Sequence, residues 1–236
     1  MAGSDHPKRF YKEATVAEID GGFVVELDGR PIKTPAKAPL SLPTRNLAQA
    51  IANEWADQGD TLELQAMTLT RLANVALDRT PETRAELADE LTRYAGTDVT
   101  CYLAEAPTEL RDRQEAAWQP WREWAGKELN VVLVPVIGLI ASPQPHASLD
   151  AVRTHALSLD DFRLTALTWA CSLLGSAVLA LAVERGALNA QEALIASVVD
   201  EDWQIEQWGE DDDAVLVRQA RAADAAALQL WFEKLR

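Results

Sequence analysis

The chain has 236 residues, of which 48% are hydrophobic and 25% are charged, a balance that excludes extensive disorder and indicates a globular protein. Its net charge of -15 argues against DNA or RNA as a partner, because phosphates repel an acidic surface. Residues 1–45 carry seven Lys/Arg and six Asp/Glu, whereas the remainder carries fifteen and thirty-one. A near-neutral N-terminal region (the head, residues 1–45) followed by an acidic remainder (the body) suggests two regions with different roles. An acidic surface can also simply keep a protein in solution.

Several features bear on the compartment of the protein. Cys101 and Cys171 are far apart in the sequence and do not form a disulfide framework, so a reducing compartment fits. Residues 1–6 lack the apolar core of a signal peptide and the character of a transit peptide. We therefore expect a bacterial cytoplasmic protein, or a mature form whose targeting segment has been removed.

The uncharged run 164–183 has the length of a spanning helix, but its Ser, Thr, Gly and Ala content favours a buried helix over membrane insertion.

Residues 8–40 have the pattern of β-hairpins. Short β-prone runs are separated by Gly21-Gly22 and Asp28-Gly29, dipeptides that favour tight turns. A small antiparallel sheet is predicted here. Thr44 then has the character of an N-cap for a helix that runs to about Gln58, before Gly59. Residues 61–64 are expected to be extended.

From Thr68 onwards the pattern is helical almost throughout, interrupted by the apolar, β-branched run 129–140, which is expected to be extended, with a buried loop as the alternative. The fold class is therefore predicted to be α+β. A small β-rich N-terminal domain with one helix, residues 1–70, precedes a larger all-helical C-terminal domain, residues 71–236. The predicted helices after the first are a short one from Thr68, one from Pro81 to Tyr94, one opened by Pro107, and further helices at 148–157, 160–185 with a break near Gly175, Asn189 to Trp208, and Asp213 to Leu235.

The usual catalytic constellations are missing from the sequence. No glycine-rich phosphate loop precedes a helix, His6, His146 and His155 are scattered, and the two cysteines form no zinc-binding pair. Gly175-Ser176 lacks the second glycine and the strand of a nucleophile elbow. We therefore predict no catalytic residue, no cofactor and no metal ligand, and we expect a protein that is not an enzyme.

Tryptophan is abundant, with eight residues, and it clusters. Trp118, Trp121 and Trp124 recur at spacings of three along one predicted helix, a pattern that core packing explains best. Trp55, beside Glu54 at the end of an earlier helix, is a candidate to join the head to the body or to contact a partner.

The segment 200–213 holds eight acidic residues and two tryptophans and no basic residue. On a single helix, Glu201 would lie in an otherwise apolar row formed by Leu194, Val198, Ile205 and Trp208. Carboxylates near a helix C-terminus oppose the helix dipole, and a basic partner would offset that cost. Aromatic side chains beside charge are typical of an interface hot spot.

Two alternatives remain for this acidic segment. The helix end could simply be solvated, or its carboxylates could bind a divalent ion, although their spacing does not match a calcium-binding loop. Two alternative functions remain for the chain. A carboxylate-based hydrolase or metal-dependent enzyme could use the 200–213 cluster, and a helical scaffold could be bound at a membrane through 164–183.

An ordered set of short motifs runs along the chain. The motifs are KRFYK at 8–12, GGFVVELDGRPIKTPAK at 21–37, LAQAIANEW at 47–55 with Gln58, MTLTRLA at 67–73, Thr97-Asp98, Cys101-Tyr102, Trp118-Gln119-Pro120, Gly175-Ser176, and DEDWQ at 200–204 with Trp208-Gly209. In this order and spacing they resemble the assembly chaperone of mitochondria and α-proteobacteria that protects the alpha subunit of the ATP synthase catalytic sector. The resemblance spans about residues 8–220, and the runs LDGRPIKTPAK and DEDWQIEQWG are its most specific parts.

The resemblance implies a non-catalytic chaperone, without a cofactor, that holds the free alpha subunit until the beta subunit replaces it. The missing transit peptide then suggests a bacterial cytoplasmic member, with the mitochondrial matrix as the location of eukaryotic relatives, and we expect a monomer when free. It points to Glu201 first and Asp202 second as the important acidic residue. The partner-binding residues we predict are Glu201, Asp202, Trp203, Glu206, Trp208, Asp211, Glu54 and Trp55.

Overall fold

The computed structural model describes residues 7–138, 140 and 142–236. The predictions that fall on residues 1–6, including His6, and on Leu139 within the run 129–140 therefore lie outside the described residues. The described chain contains a small N-terminal sheet followed by helices, and this confirms the predicted α+β class.

The N-terminal sheet has four strands, β1 (Ala14–Ile19), β2 (Gly22–Leu27), β3 (Arg30–Pro31) and β4 (Ser41–Leu42). Strand β2 pairs antiparallel with each of the other three, and Gly21 makes the tight β1–β2 turn with a φ of 82°. The alternating side chains of β2 supply Val25 and Leu27 to the core, and Val24 is buried as well. The sheet predicted over 8–40 is confirmed.

Helix α1 (Arg45–Ala56) begins where the sequence predicts. The Thr44 hydroxyl accepts a hydrogen bond from the Leu47 backbone N–H at 3.1 Å, as an N-cap does. Its apolar face packs on β1 and β2 and includes Ile51 and Trp55. Residues 61–64, predicted to be extended, form only a single bridge from Thr61 to Lys8, and a 3-10 turn begins at Leu64.

The remaining helices follow the predicted order, except that the helix predicted from Asn189 to Trp208 is two helices. Their bounds are α2 (Thr68–Asp78), α3 (Thr80–Gly96), α4 (Thr108–Leu129), α5 (His146–Ser158), α6 (Asp161–Leu174), α7 (Ala177–Arg185), α8 (Ala190–Ser197), α9 (Val199–Trp208) and α10 (Asp212–Lys234).

Most of the run 129–140 lies outside strands. Leu129 belongs to α4, and among the described residues of the run only Val136–Ile137 forms a strand, β6. This strand pairs parallel with β5 (Tyr102–Leu103).

The uncharged run 164–183 is split as predicted near Gly175. This glycine ends α6 with a φ of 61°, in the left-handed region, and the Ser176 hydroxyl caps α7 by accepting from the Leu179 N–H. Both helices carry many fully buried residues. Among the described helices, none combines the length and the apolar character needed to cross a membrane.

The chain divides into two compact units. The first comprises Met1–Glu82 and Leu230–Arg236, and the second comprises Thr83–Gln229. In the first unit the Thr44 hydroxyl also donates to the Lys234 carbonyl, which ties the C-terminal residues to the start of α1. The domain bounds 1–70 and 71–236 remain a prediction, because a compact unit of contacts is not by itself an independently folding domain.

Candidate functional site

The helix predicted from Asn189 to Trp208 is wrong in one respect, since it is two helices. Val198 has a φ of -113° and a ψ of 20°, and this residue separates α8 from α9. Asp200, Glu201 and Asp202 therefore lie in the first turn of α9 and not near the end of a long helix. Negative charge is favourable at a helix N-terminus, so the predicted conflict of Glu201 and Asp202 with the helix dipole does not arise.

A groove runs between α8 and α9 on one side and α10 on the other. Its cavity volume is about 550 Å³. All five members of the predicted row, Leu194, Val198, Glu201, Ile205 and Trp208, line it despite the break between the helices. We call this surface the α9–α10 groove.

Large apolar side chains are exposed in the α9–α10 groove. Trp208 is 79% exposed, Ile195 is 64% exposed and Val217 is 59% exposed. A contiguous apolar surface with a polar rim marks a site of protein interaction more often than isolated exposed residues do.

Two arginines of α10 face the carboxylates of the groove. Arg221 contacts Glu201 at 2.8 Å, and Arg218 contacts Asp202 at 2.9 Å and Glu210 at 3.0 Å. Sequence reasoning missed these two arginines because it searched only within 200–213. Their spacing of three on the last helix places them on one face, and that signal could have identified them as partners of an acidic helix.

The opposite face of α9 is held by α4. The guanidinium of Arg113 contacts the Glu206 carboxylate at 2.7 Å and lies 4.7 Å from the centre of the Trp203 ring. The Gln114 side-chain amide donates to Asp200 at 2.6 Å. Trp203 and Glu206, predicted to bind a partner, are thus occupied by contacts within the chain.

Asp211, also predicted to bind a partner, caps a helix. It accepts a hydrogen bond from the Ala214 N–H at 2.7 Å at the start of α10.

The three tryptophans of α4 differ in burial. Trp118 is fully buried, and its indole N–H donates to the Ala196 carbonyl at 2.6 Å, just before the α8–α9 break. Trp118 therefore packs in the core as predicted, whereas Trp121 and Trp124 are half-buried.

Glu54 and Trp55 belong to the first compact unit, whereas residues 200–213 belong to the second. The Glu54 carboxylate accepts from the backbone N–H groups of Leu69 and Thr70, at 2.7 and 2.8 Å, and from the Thr70 hydroxyl. It thus caps the N-terminus of α2. Burial raises the pKa of Glu54, and these hydrogen bonds oppose that rise. Trp55 is buried, and its carbonyl accepts from the Tyr11 hydroxyl at 2.6 Å.

The carboxylates of the groove are arranged against cations rather than against one another. Paired-carboxylate chemistry requires two carboxyl groups that share a pocket and differ in pKa. Glu201, Asp202 and Glu210 instead each contact an arginine. Among the described residues, no group of three or more His, Cys, Asp or Glu side chains is placed to hold a metal ion.

Comparisons with known proteins agree with this architecture. The family model described as ATP12 chaperone protein matches residues 8–126. The chain is 27% identical over 219 residues to the protein atp12, mitochondrial, of Schizosaccharomyces pombe, a match that covers 88% of this chain and 75% of that protein.

Two solved structures are similar over nearly the whole chain. The crystal structure of Atp12 from Paracoccus denitrificans is 40% identical, with a TM-score of 0.87 and coverage of 96% of each chain. The crystal structure of the Atu1473 protein from Agrobacterium tumefaciens is 38% identical, with a TM-score of 0.92 and coverage of 98% of this chain and 87% of that one.

Proposed function

The chain belongs to the ATP12 chaperone family, and from that membership we propose that it binds the free alpha subunit of the ATP synthase catalytic sector, prevents its aggregation and releases it to the beta subunit. An unassembled subunit exposes an interface meant for its neighbour, and such a surface aggregates. A protein that covers the interface reversibly, without catalysis, meets that need.

The observation that carries the proposal is the α9–α10 groove. It offers exposed apolar side chains, Trp208, Ile195 and Val217, beside the carboxylates of Glu201 and Asp202. Covering the apolar side chains would stabilise the complex by about 25 cal/mol for each Å² of apolar surface removed from water. The charged rim supplies orientation and a preference for a basic partner surface.

The ion pairs of the groove suit a contact that must be reversible. Glu201 is 60% exposed in its pair with Arg221, and exposed pairs contribute little to the stability of the free protein. The carboxylate can therefore change partner at low cost. Release to the beta subunit would then follow from mass action, because the better-fitting partner takes the alpha subunit.

We place this function in the bacterial cytoplasm, with the mitochondrial matrix as the location in eukaryotic relatives; the Schizosaccharomyces pombe relative is named mitochondrial. We propose that the free chaperone is a monomer, that it inserts stably into no membrane and that it binds no nucleic acid, in keeping with its net charge of -15.

Co-expression tests the proposal. The chain is produced with the alpha subunit of the same organism, without beta, and soluble alpha is measured. The wild type should keep alpha soluble, and Glu201→Gln or Trp208→Ala should reduce soluble alpha several-fold. Glu192→Gln is the matched control, because Glu192 is exposed on α8 and does not line the groove.

Adding purified beta to the isolated complex tests the release step. The chaperone should leave as free monomer, measured by size-exclusion chromatography, as alpha joins beta. The proposal fails if alpha is equally insoluble with and without the wild-type chain. The groove assignment fails if Glu201→Gln, Trp208→Ala and Glu192→Gln all protect alpha equally well.

A further inference from the structure

One wall of the α9–α10 groove has the residue spacing of a helix that packs against another helix. The row Leu194, Val198, Glu201, Ile205 and Trp208 lines this wall and advances by steps of four and three. This alternation is the heptad spacing with which one helix packs along a second helix. The row keeps that spacing across the break between α8 and α9, so the wall as a whole is suited to contact a helix.

The facing wall, formed by α10, has a matching pattern. Counted from the first, its groove-lining residues lie three, four, seven and eight positions further on, as they do on one face of a helix. They are Ala214, Val217, Arg218, Arg221 and Ala222. Two helix faces therefore look towards each other across the groove.

The space between these two faces is empty in the described chain. It is a cavity of about 550 Å³, and Ile195 and Val217, on opposite walls, are 64% and 59% exposed. Helix α9 contains no buried residue, and neither does α10 before Ala225. Most of the stability of a helix in a protein comes from burying its apolar face, so these two helices lack an element that covers them.

The charge of this region favours a basic occupant. Residues 199–224 include nine acidic and two basic residues, a net charge of -7. The two basic residues, Arg218 and Arg221, are both paired with carboxylates of the groove. The side chain of Glu201, the charged member of the apolar row, is 60% exposed. A second copy of this chain, with its net charge of -15, would be repelled, whereas a Lys or Arg of a partner would be attracted.

We propose that the α9–α10 groove binds an amphipathic α-helix of the client protein, with a Lys or Arg within its apolar face. The apolar side chains of that helix lie against Val198, Ile205 and Val217, and its basic side chain contacts Glu201. A helix that lies in an apolar groove presents anchors at positions i, i+3 or i+4, and i+7. The row of five positions corresponds to about four turns, roughly 20 Å of helix. This inference rests on the proposed function, because it names the class of segment that the same groove takes.

The first test maps the occupant by cross-linking. Ile195 and Val217 are replaced in separate full-length chains by photo-cross-linking p-benzoylphenylalanine, and Glu192, outside the groove, is the control position. Each chain is irradiated with the co-expressed alpha subunit, and the linked residues are identified by mass spectrometry. Positions 195 and 217 should link to one segment of alpha that contains Lys or Arg, and position 192 should not. Residues linked from a single position should lie three, four or seven apart.

The second test asks whether that segment binds as a helix. Synthetic peptides of the cross-linked segment are titrated against the wild-type full-length chain, and fluorescence anisotropy measures their affinity. A proline placed mid-peptide, at a position that faces away from the groove, should weaken binding by roughly tenfold or more, because proline breaks a helix. A lactam bridge between positions i and i+4 on the same outer face should tighten binding several-fold, because less entropy is lost on ordering.

The third test exchanges the charges. Glu201→Lys should weaken binding of the natural peptide by roughly tenfold, because two cations then face each other. A peptide whose Lys or Arg is replaced by Glu should bind wild type weakly and Glu201→Lys more tightly, which also shows that this variant is folded. Glu192→Lys is the matched control and should bind both peptides as the wild type does.

The outcomes separate this inference from the proposed function. The inference is overturned if the proline peptide binds as tightly as the natural one, if the charge exchange restores no binding, or if the groove positions link to a second copy of this chain. It is also overturned if neither groove position links to alpha while the wild-type chain keeps alpha soluble, and the proposed chaperone function then stands. Failure of the wild-type chain to keep alpha soluble contradicts the proposed function itself.

Discussion

The carboxylate of Glu201 lies 2.8 Å from the guanidinium of Arg221, and the two residues join α9 to α10 across the groove. The pair is half-exposed, with Glu201 at 60% and Arg221 at 26%, so water screens it. Glu201→Gln should therefore lower the free energy of unfolding by less than about 1 kcal/mol. Urea denaturation followed by circular dichroism measures this. A loss of several kcal/mol would mean that Glu201 is a folding residue, and its effect on client binding would then be indirect.

Removing Arg221 tests how Glu201 acts. If a basic group of the alpha subunit contacts Glu201, Arg221 competes with that group, and Arg221→Gln should tighten binding by a few-fold. The affinity should also depend more steeply on salt, because the groove gains net negative charge. Titrations at two ionic strengths measure both effects. If Arg221→Gln and Glu201→Gln weaken binding equally, the two residues act as one unit.

Asp98 is fully buried and accepts four hydrogen bonds. Its donors are the Thr100 N–H and hydroxyl, the Ser176 hydroxyl and the Val178 N–H, at 2.7–3.0 Å. Burial raises the pKa of Asp98, and these hydrogen bonds oppose the rise. Asp98→Asn places an amide NH₂ against donors and should cost about 3 kcal/mol in unfolding free energy.

Asp89→Asn is the matched control for Asp98. Asp89 is 54% exposed and contacts Arg153 at 2.7 Å, so the same chemical change should cost less than about 1 kcal/mol. Equal losses at the two positions, measured by urea denaturation, would contradict the structural role assigned to Asp98.

Glu184 should make stability depend on pH. It is 1% exposed and contacts Arg163 and, at 3.0 Å, His155. Burial raises the pKa of Glu184, but the hydrogen bonds and charges of His155 and Arg163 lower it by more. The pKa of Glu184 therefore lies below its ordinary value of 4.5. The unfolded chain then binds a proton at a higher pH than the folded chain does, and stability falls as pH drops from 4.5 through the folded pKa.

Glu184→Gln should remove this part of the acid dependence and lower stability at pH 7 by about 3 kcal/mol, because Arg163 loses its buried partner. Urea denaturation at a series of pH values between 3 and 7 measures both changes, with wild type alongside. The same loss of stability on acidification in Glu184→Gln as in wild type would assign the acid dependence to other carboxylates.

Local sequence signals predicted those parts of the fold that depend on neighbouring residues. The Gly21-Gly22 turn, the Thr44 cap and the Gly175 break are all where the sequence places them, because each needs a particular backbone conformation or a particular side-chain oxygen. The break at Val198 has no glycine or proline, and the apolar spacing continues across it. Sequence periodicity therefore predicted one helix where there are two.

The candidate site, too, was predictable from the sequence only in part. Composition and spacing determined that 200–213 is acidic and aromatic, and that Leu194, Val198, Glu201, Ile205 and Trp208 share one surface. Only the tertiary structure decided which carboxylate meets which cation, because Arg113, Arg218 and Arg221 come from other helices. It also decided that Glu54 caps α2 and that the Trp55 indole N–H is buried without a partner among the described residues. Such pairings follow from packing between segments distant in sequence, and no local pattern specifies them.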